Sequence, residues 1–165
     1  MLAFITVVSS ALALATSVAA DFVPAGSAAH FFSSQNSSLV FAPQFAASGA
    51  SLVASLAGDG SPDDITALYA IHGSGVPTQI AYGDFCITAK GVVPESATQT
   101  LYVAECDSTD PAQLWTLNAD PQTVSNADGN CITLGRAAKG VSVVLDFCND
   151  ILEHLQLWDP KPISA

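Results

Sequence analysis

Residues 86–115 read CITAKGVVPESATQTLYVAECDSTDPAQLW, and residues 131–158 read CITLGRAAKGVSVVLDFCNDILEHLQLW. Both stretches open on Cys-Ile-Thr, place a second cysteine at the end of a short apolar run, and close on Gln-Leu-Trp. Cys86-Ile87-Thr88 recurs as Cys131-Ile132-Thr133, and Gln113-Leu114-Trp115 recurs as Gln156-Leu157-Trp158, with the register held between them. An internal repeat is therefore the first thing to read in this chain. Leu101 to Cys106 and Val143 to Cys148 each read as a buried strand. Upstream, Thr78-Gln79-Ile80 answers to Gln122-Thr123-Val124, each followed by a turn, Gly83-Asp84 or Asp128-Gly129, before the first cysteine. These read as hairpins.

A degenerate third copy is expected ahead of these two, in Ser38–Phe41, Ala50–Ala54 and Ile65–Tyr69, with Tyr69 in the register of Trp115. It has neither cysteine nor Gln-x-Trp. The repeats then run over about 38–77, 78–121 and 122–160 of a single domain spanning 21–165. Short strands and Gly, Pro, Asn and Asp turns are not interrupted by a useful amphipathic helix, so the fold class expected is all-β and closed.

Residues Met1–Ala20 read as a secretory signal peptide: uncharged, apolar, and ending on the small residues Val18 and Ala20. A secreted, extracellular chain follows, with no membrane insertion once the leader is removed. On that route thiols are oxidised. Four cysteines allow three pairings, and the expected one is Cys86 with Cys106 and Cys131 with Cys148, because it alone closes two short, separate loops of similar length. Each loop should contribute about 3 kcal/mol in the chain-entropy picture. Asn36-Ser37-Ser38 is a glycosylation sequon, placing Asn36 on an exposed segment.

Half of the 165 residues are apolar and 12% are charged, enough to bury a core. Four basic against 15 acidic side chains give a net charge of −11, so phosphate backbones are repelled and nucleic acid is excluded as a partner.

The cysteine spacing and the two Gln-x-Trp triplets resemble the ricin B-type lectin family, well over residues 78 to 160 and weakly over 38 to 77. The resemblance implies a β-trefoil: twelve strands, six in a barrel and six in a cap, with pseudo-threefold symmetry and Trp115 and Trp158 in the core. It also implies glycans or glycoproteins as ligands, with no catalysis, cofactor or metal. Sugar hydroxyls suit a carboxylate acceptor, an amide and an aromatic face. In active repeats of that family an aspartate stands two residues after the first cysteine, where this chain has Thr88 and Thr133. The aromatic platform two residues before the second cysteine becomes Ala104 and Asp146. The polar partner four residues before that cysteine becomes Tyr102 and Val144, and the asparagine ahead of Gln-x-Trp becomes Ala112 and Leu155. Gln113 and Gln156 remain, in a largely structural role.

A carbohydrate site, if kept, is thus atypical or weakened. Its candidates are Thr88, Tyr102, Gln113, Thr133, Asp146, Asn149, Asp150 and Gln156. The bland alternative makes Tyr102 a strand residue and leaves Asp146, Asn149 and Asp150 solvated. A protein partner is the competing reading, for example a protease held by the Gly91 to Gln99 or Asp107 to Pro111 loop, as is a structural trefoil with no sugar ligand. The carboxylates of Asp59, Asp63 and Asp64 follow no calcium-loop spacing. His30, His72 and His154 stand singly, without a metal or catalytic motif.

Overall fold

The computed structural model describes residues 22–61, 63–89, 98–151 and 153–163. The segment Met1–Ala20 and most of the Gly91 to Gln99 loop lie outside the described residues. Twelve strands follow one another: β1 (Ser27–Ser33), β2 (Asn36–Pro43), β3 (Leu52–Leu56), β4 (Leu68–Ala70), β5 (Ile80–Tyr82), β6 (Phe85–Ala89), β7 (Gln99–Glu105), β8 (Thr116–Leu117), β9 (Val124–Ser125), β10 (Asn130–Leu134), β11 (Val143–Phe147) and β12 (Trp158–Pro162). They pair antiparallel in the order β3-β2-β1-β4-β5-β6-β7-β11-β10-β9-β8, and β12 returns to β1. Taken four at a time they form three copies of one unit, the all-β trefoil expected.

The strand faces follow from alternation. On β7 and β11, Leu101, Val103, Val143 and Leu145 point into the core, while Tyr102, Ala104, Val144 and Asp146 are half-buried on the other face. On β6 and β10 every residue after the first is buried. The disulfides join Cys86 to Cys106 and Cys131 to Cys148, the two short loops favoured by the spacing.

Each Gln-x-Trp acts as a clamp, and the two clamps use equivalent atoms. Trp115 Nε1 donates to the Ile87 carbonyl at 2.9 Å, and Trp158 Nε1 to the Ile132 carbonyl at 2.8 Å. Gln113 accepts from the Asp107 N–H at 2.8 Å and donates to the Glu105 carbonyl at 2.9 Å. Gln156 accepts from the Asn149 N–H at 3.1 Å and donates to the Phe147 carbonyl at 2.7 Å. Tryptophan thus ties the residue after the first cysteine, and glutamine ties the residues on both sides of the second. Buried polar groups need such partners, and here each side chain supplies them to backbone that turns out of a strand.

The first copy departs from expectation in two ways. Its opening strand, β1, lies ahead of residue 38; its apolar run does not alternate, which hid it. Its tryptophan position is Leu68, not Tyr69. Ala29 pairs with Leu68 as Thr78 pairs with Trp115, and the Trp158 N–H reaches the Gln122 carbonyl at 2.7 Å. Leu68 is fully buried, whereas Tyr69 is 41% exposed. A one-residue slip reverses the face of a strand side chain, so the large aromatic misleads.

Two residues before Leu68 stands Thr66, whose Oγ1 accepts from the Gly58 N–H at 2.9 Å, the contact that Gln113 and Gln156 make in their copies. A threonine is too short to clamp alone. Its hydroxyl donates to Asp64 Oδ1 at 2.6 Å, its N–H donates to the same oxygen at 2.9 Å, and the Gly60 N–H donates to Asp64 Oδ2 at 2.8 Å. Gly58 has no Cβ, and one there would overlap the Asp64 carboxylate. His30 Nε2 lies 3.0 Å from Asp64 Oδ2, and as a carboxylate only accepts, the ring nitrogen donates. Desolvation raises the pKa of Asp64, but the hydrogen bonds from Thr66, Gly60 and His30 together outweigh it and lower it to about 2.

The core is continuous across the copies. Phe31 stacks on Phe41 with centroids 4.9 Å apart, and Phe41 meets Trp158 edge-on at 4.8 Å, which joins the first copy to the third.

Trp158→Ala removes both the packing and the Ile132 bond and is expected to lower unfolding free energy by about 3–5 kcal/mol. Gln156→Ala is expected to cost about 1–3 kcal/mol by removing the side-chain acceptor of the Asn149 N–H and one of the two side-chain donors to the Phe147 carbonyl. Denaturant titration of oxidised protein checks both. The lowered carboxyl of Asp64 contributes stability above its unfolded pKa near 3.8, and this is lost as pH falls toward 2. The stability gap between wild type and Asp64→Asn should therefore shrink by about 2 kcal/mol between pH 4 and pH 2; a constant gap would show that the ionised carboxylate is not what matters.

Candidate functional site

The trefoil repeats one position next to each clamp, and the three copies fill it differently. Because Ala29, Thr78 and Gln122 are equivalent by their pairing to Leu68, Trp115 and Trp158, the residues that follow them, His30, Gln79 and Thr123, are equivalent too. His30 reaches Asp64. Gln79 Nε2 donates to Gln113 Oε1 at 2.8 Å. Thr123 is a shorter side chain whose Oγ1 accepts from Asn118 Nδ2 at 3.0 Å. Beside Thr123 a cleft of about 140 Å³ opens, lined by Pro121, Thr123, Cys148, Asn149, Asp150, Glu153 and Gln156.

The walls of this cleft come from three pieces of the third copy. Pro121 and Thr123 lead into β9, Cys148 to Asp150 follow β11, and Glu153 and Gln156 begin and end α1 (Glu153–Gln156). The clamp holds these pieces together: Gln156 forms the floor while tying the Asn149 N–H and the Phe147 carbonyl, and Asn149 Nδ2 donates to the Phe147 carbonyl at 3.0 Å. Gln156 Nε2 also reaches Thr133 Oγ1 at 3.1 Å. The cleft is small beside the several hundred Å³ typical of cofactor pockets, so one sugar ring or part of one is its scale.

The eight candidates separate accordingly. Asn149, Asp150 and Gln156 come together at the cleft. Thr88 and Thr133 are buried within β6 and β10, and the Thr133 hydroxyl is already engaged, donating to the Cys131 carbonyl at 2.9 Å. They lie away from any surface a sugar reaches. Gln113 is buried as the clamp of the second copy, and Gln79 occupies the space beside it. Tyr102 and Asp146 are half-buried on β7 and β11, and neither lines the cleft. Asp146 Oδ1 accepts from the Phe147 N–H at 2.8 Å. Trp115 and Trp158 are core residues. Asn36 begins β2 half-buried, and its Oδ1 accepts from the Ser38 N–H at 3.0 Å.

Sequence reading missed Pro121, Thr123 and Glu153. A signal for Thr123 was present: the aligned triplets Thr78-Gln79-Ile80 and Gln122-Thr123-Val124 carry a long amide side chain in one and a short hydroxyl side chain in the other, and the smaller residue leaves the space. The Asp107 to Pro111 loop of the second copy is exposed for most of its length and tightly bonded. Thr109 donates its N–H and its hydroxyl to Asp107 Oδ1 at 2.8 and 2.7 Å, and Asp110 Oδ1 caps the 3-10 turn Pro111–Gln113 through the Ala112 N–H at 2.9 Å. The hydroxyl and then the N–H of Thr109 hold the Asp107 carboxyl below its ordinary pKa. Of the acidic stretch near Asp59, Asp63 is exposed, and Asp64 is buried with its oxygens committed to protein donors.

The model of the ricin-type beta-trefoil lectin domain matches residues 77–163, more than half of the chain. Curated proteins give no match. Among solved structures, the C-half of an earthworm R-type lectin in complex with GalNAc superposes with a TM-score of 0.61 at 13% identity, covering 83% of this chain and 99% of that one. A mosquitocidal holotoxin superposes with a TM-score of 0.61 at 12% identity; the match covers 83% of this chain and 16% of the toxin. At such identities the likeness speaks for the fold.

Proposed function

The chain belongs to the ricin-type β-trefoil lectin family, and from that premise we propose that it is a secreted, non-catalytic carbohydrate-binding protein whose sugar site is rebuilt in the third copy. The observation that carries this reading is the cleft beside Gln156. It supplies the carboxylates of Asp150 and Glu153 and the amide of Asn149 on a frame fixed by the clamp. Carboxylates and amides are the groups that hold sugar hydroxyls. The GalNAc complex of the earthworm lectin gives the glycan reading general support.

Within this proposal Met1–Ala20 is a removed leader and residues 21–165 are the mature domain. Two disulfides suit an oxidising compartment, and among the described residues no helix is long and apolar enough to cross a membrane. Without an aromatic platform at Ala104 or Asp146, a single site holds its sugar weakly. A single such site offers no gain from multivalency unless chains associate.

A second reading rests on the Asp107 to Pro111 loop, since an exposed loop already held in one conformation loses little entropy on entering a protein cleft. In that case Thr109→Ala should weaken inhibition of a protease panel, and wild type should show such inhibition.

The proposal is tested on a glycan array and on insoluble cell-wall polysaccharides with mature, oxidised protein. Thr123→Gln, which places the Gln79 side chain beside Gln156, should close the cleft and abolish retention while leaving the melting transition near that of wild type. Asp150→Ala should also reduce retention. Retention of wild type that survives both substitutions would place the sugar elsewhere on the trefoil.

A further inference from the structure

The ligand class of this cleft follows from its charge, an argument that rests on the glycan reading above. Asp150 and Glu153 line it. Among the described residues, none of the cations Arg136, Lys139 and Lys161 lines it. Nor does either ion pair among the described residues, His30 with Asp64 and Lys161 with Asp159, involve Asp150 or Glu153. His154, exposed beside Glu153 on α1, is the nearest basic group in sequence. The whole chain, at −11, adds a field of the same sign.

Such a cleft discriminates among sugars. A carboxylate accepts hydrogen bonds and does not donate, so the ligand must bring donors. An anionic sugar, a uronic or sialic acid, brings hydroxyl donors but meets like charge. A neutral sugar brings hydroxyl donors alone. A hexosamine with an unacetylated amine brings an ammonium group, with three donors and no acceptor, together with opposite charge. Charge has more to decide here than in a site with a stacking platform, because no aromatic side chain lines the cleft.

We propose that the third-copy cleft selects a glycan bearing free amino groups, a de-N-acetylated hexosamine unit, with Asp150 and Glu153 as the residues that determine specificity.

The test compares retention of the mature, oxidised chain on two forms of one β-linked glucosamine polymer, fully N-acetylated and de-N-acetylated, with a polyuronate and an uncharged glucan alongside. Preferential retention on the de-N-acetylated form is expected, falling as salt is raised. The double variant Asp150→Asn/Glu153→Gln should bind it about tenfold more weakly with an unchanged melting transition. A charge-matched control, Asp59→Asn/Asp63→Asn, in the first copy, should bind as wild type does. Soluble glucosamine should compete, and a simple alkylamine at the same concentration should not. Equal loss in both double variants would mean that overall acidity attracts the polymer and would overturn the proposal, as would equal competition by the alkylamine. Equal or better retention on the acetylated or uncharged polymer, lost in Thr123→Gln, would overturn the amine preference while leaving the glycan site standing. Retention on none of the four polymers, with a blank glycan array, would remove the glycan reading itself.

Discussion

The glutamine of each Gln-x-Trp triplet closes the hydrogen bonds of the backbone where a strand ends, and the tryptophan ties a carbonyl inside the preceding strand. Gln113 and Gln156 each accept from the residue after the second cysteine and donate to the residue before it, and the indoles reach the carbonyl after the first. The disulfide runs between those two tied points in each copy. Covalent and hydrogen-bonded ties therefore meet at one corner. Without them the exposed turn that follows β7 or β11 has too few partners to hold its course, because the interior allows few unpaired polar groups. The aromatic half of the triplet extends the same tie into the core, where Trp158 meets Phe41 of another copy.

Repetition leaves the copies free to differ where the clamp does not depend on the residue. In the first copy Thr66 and Leu68 replace glutamine and tryptophan, and a buried carboxylate, Asp64, collects the donors of Thr66, Gly60 and His30 in compensation. In the second copy Gln79 fills the space beside its clamp. In the third, Thr123 leaves that space open, and the loop after β11 contributes an amide and carboxylates to it. The candidate site is thus a consequence of broken symmetry. The same scaffold position serves packing in two copies and offers a cleft in one.

Much of this architecture was legible because its signals are periodic and chemically distinctive. Two cysteine pairs and two identical Gln-Leu-Trp triplets set the register of the second and third copies, and the apolar runs Leu101 to Cys106 and Val143 to Cys148 marked a buried strand in each. The first copy was harder to read. Tyr69 looked like the aromatic anchor, yet alternation on β4 turns it outward and buries Leu68, a residue with no identifying chemistry. The site was least legible. Thr88 and Thr133 were candidates through the resemblance alone, and both are buried, with the Thr133 hydroxyl bonded to the Cys131 carbonyl.

By itself the sequence determined the class of fold, the disulfide pairing and the core tryptophans, since these depend on local pattern and spacing. Tertiary structure alone decided which candidates meet. Asn149, Asp150 and Gln156 share a surface with Thr123 and Glu153, whereas Tyr102 and Asp146 do not join them. The physical reason is that a cleft is an unfilled volume between segments distant along the chain. It depends on how far each side chain reaches once its backbone is fixed, and no spacing rule records that the amide of Gln79 spans a gap which the hydroxyl of Thr123 leaves open.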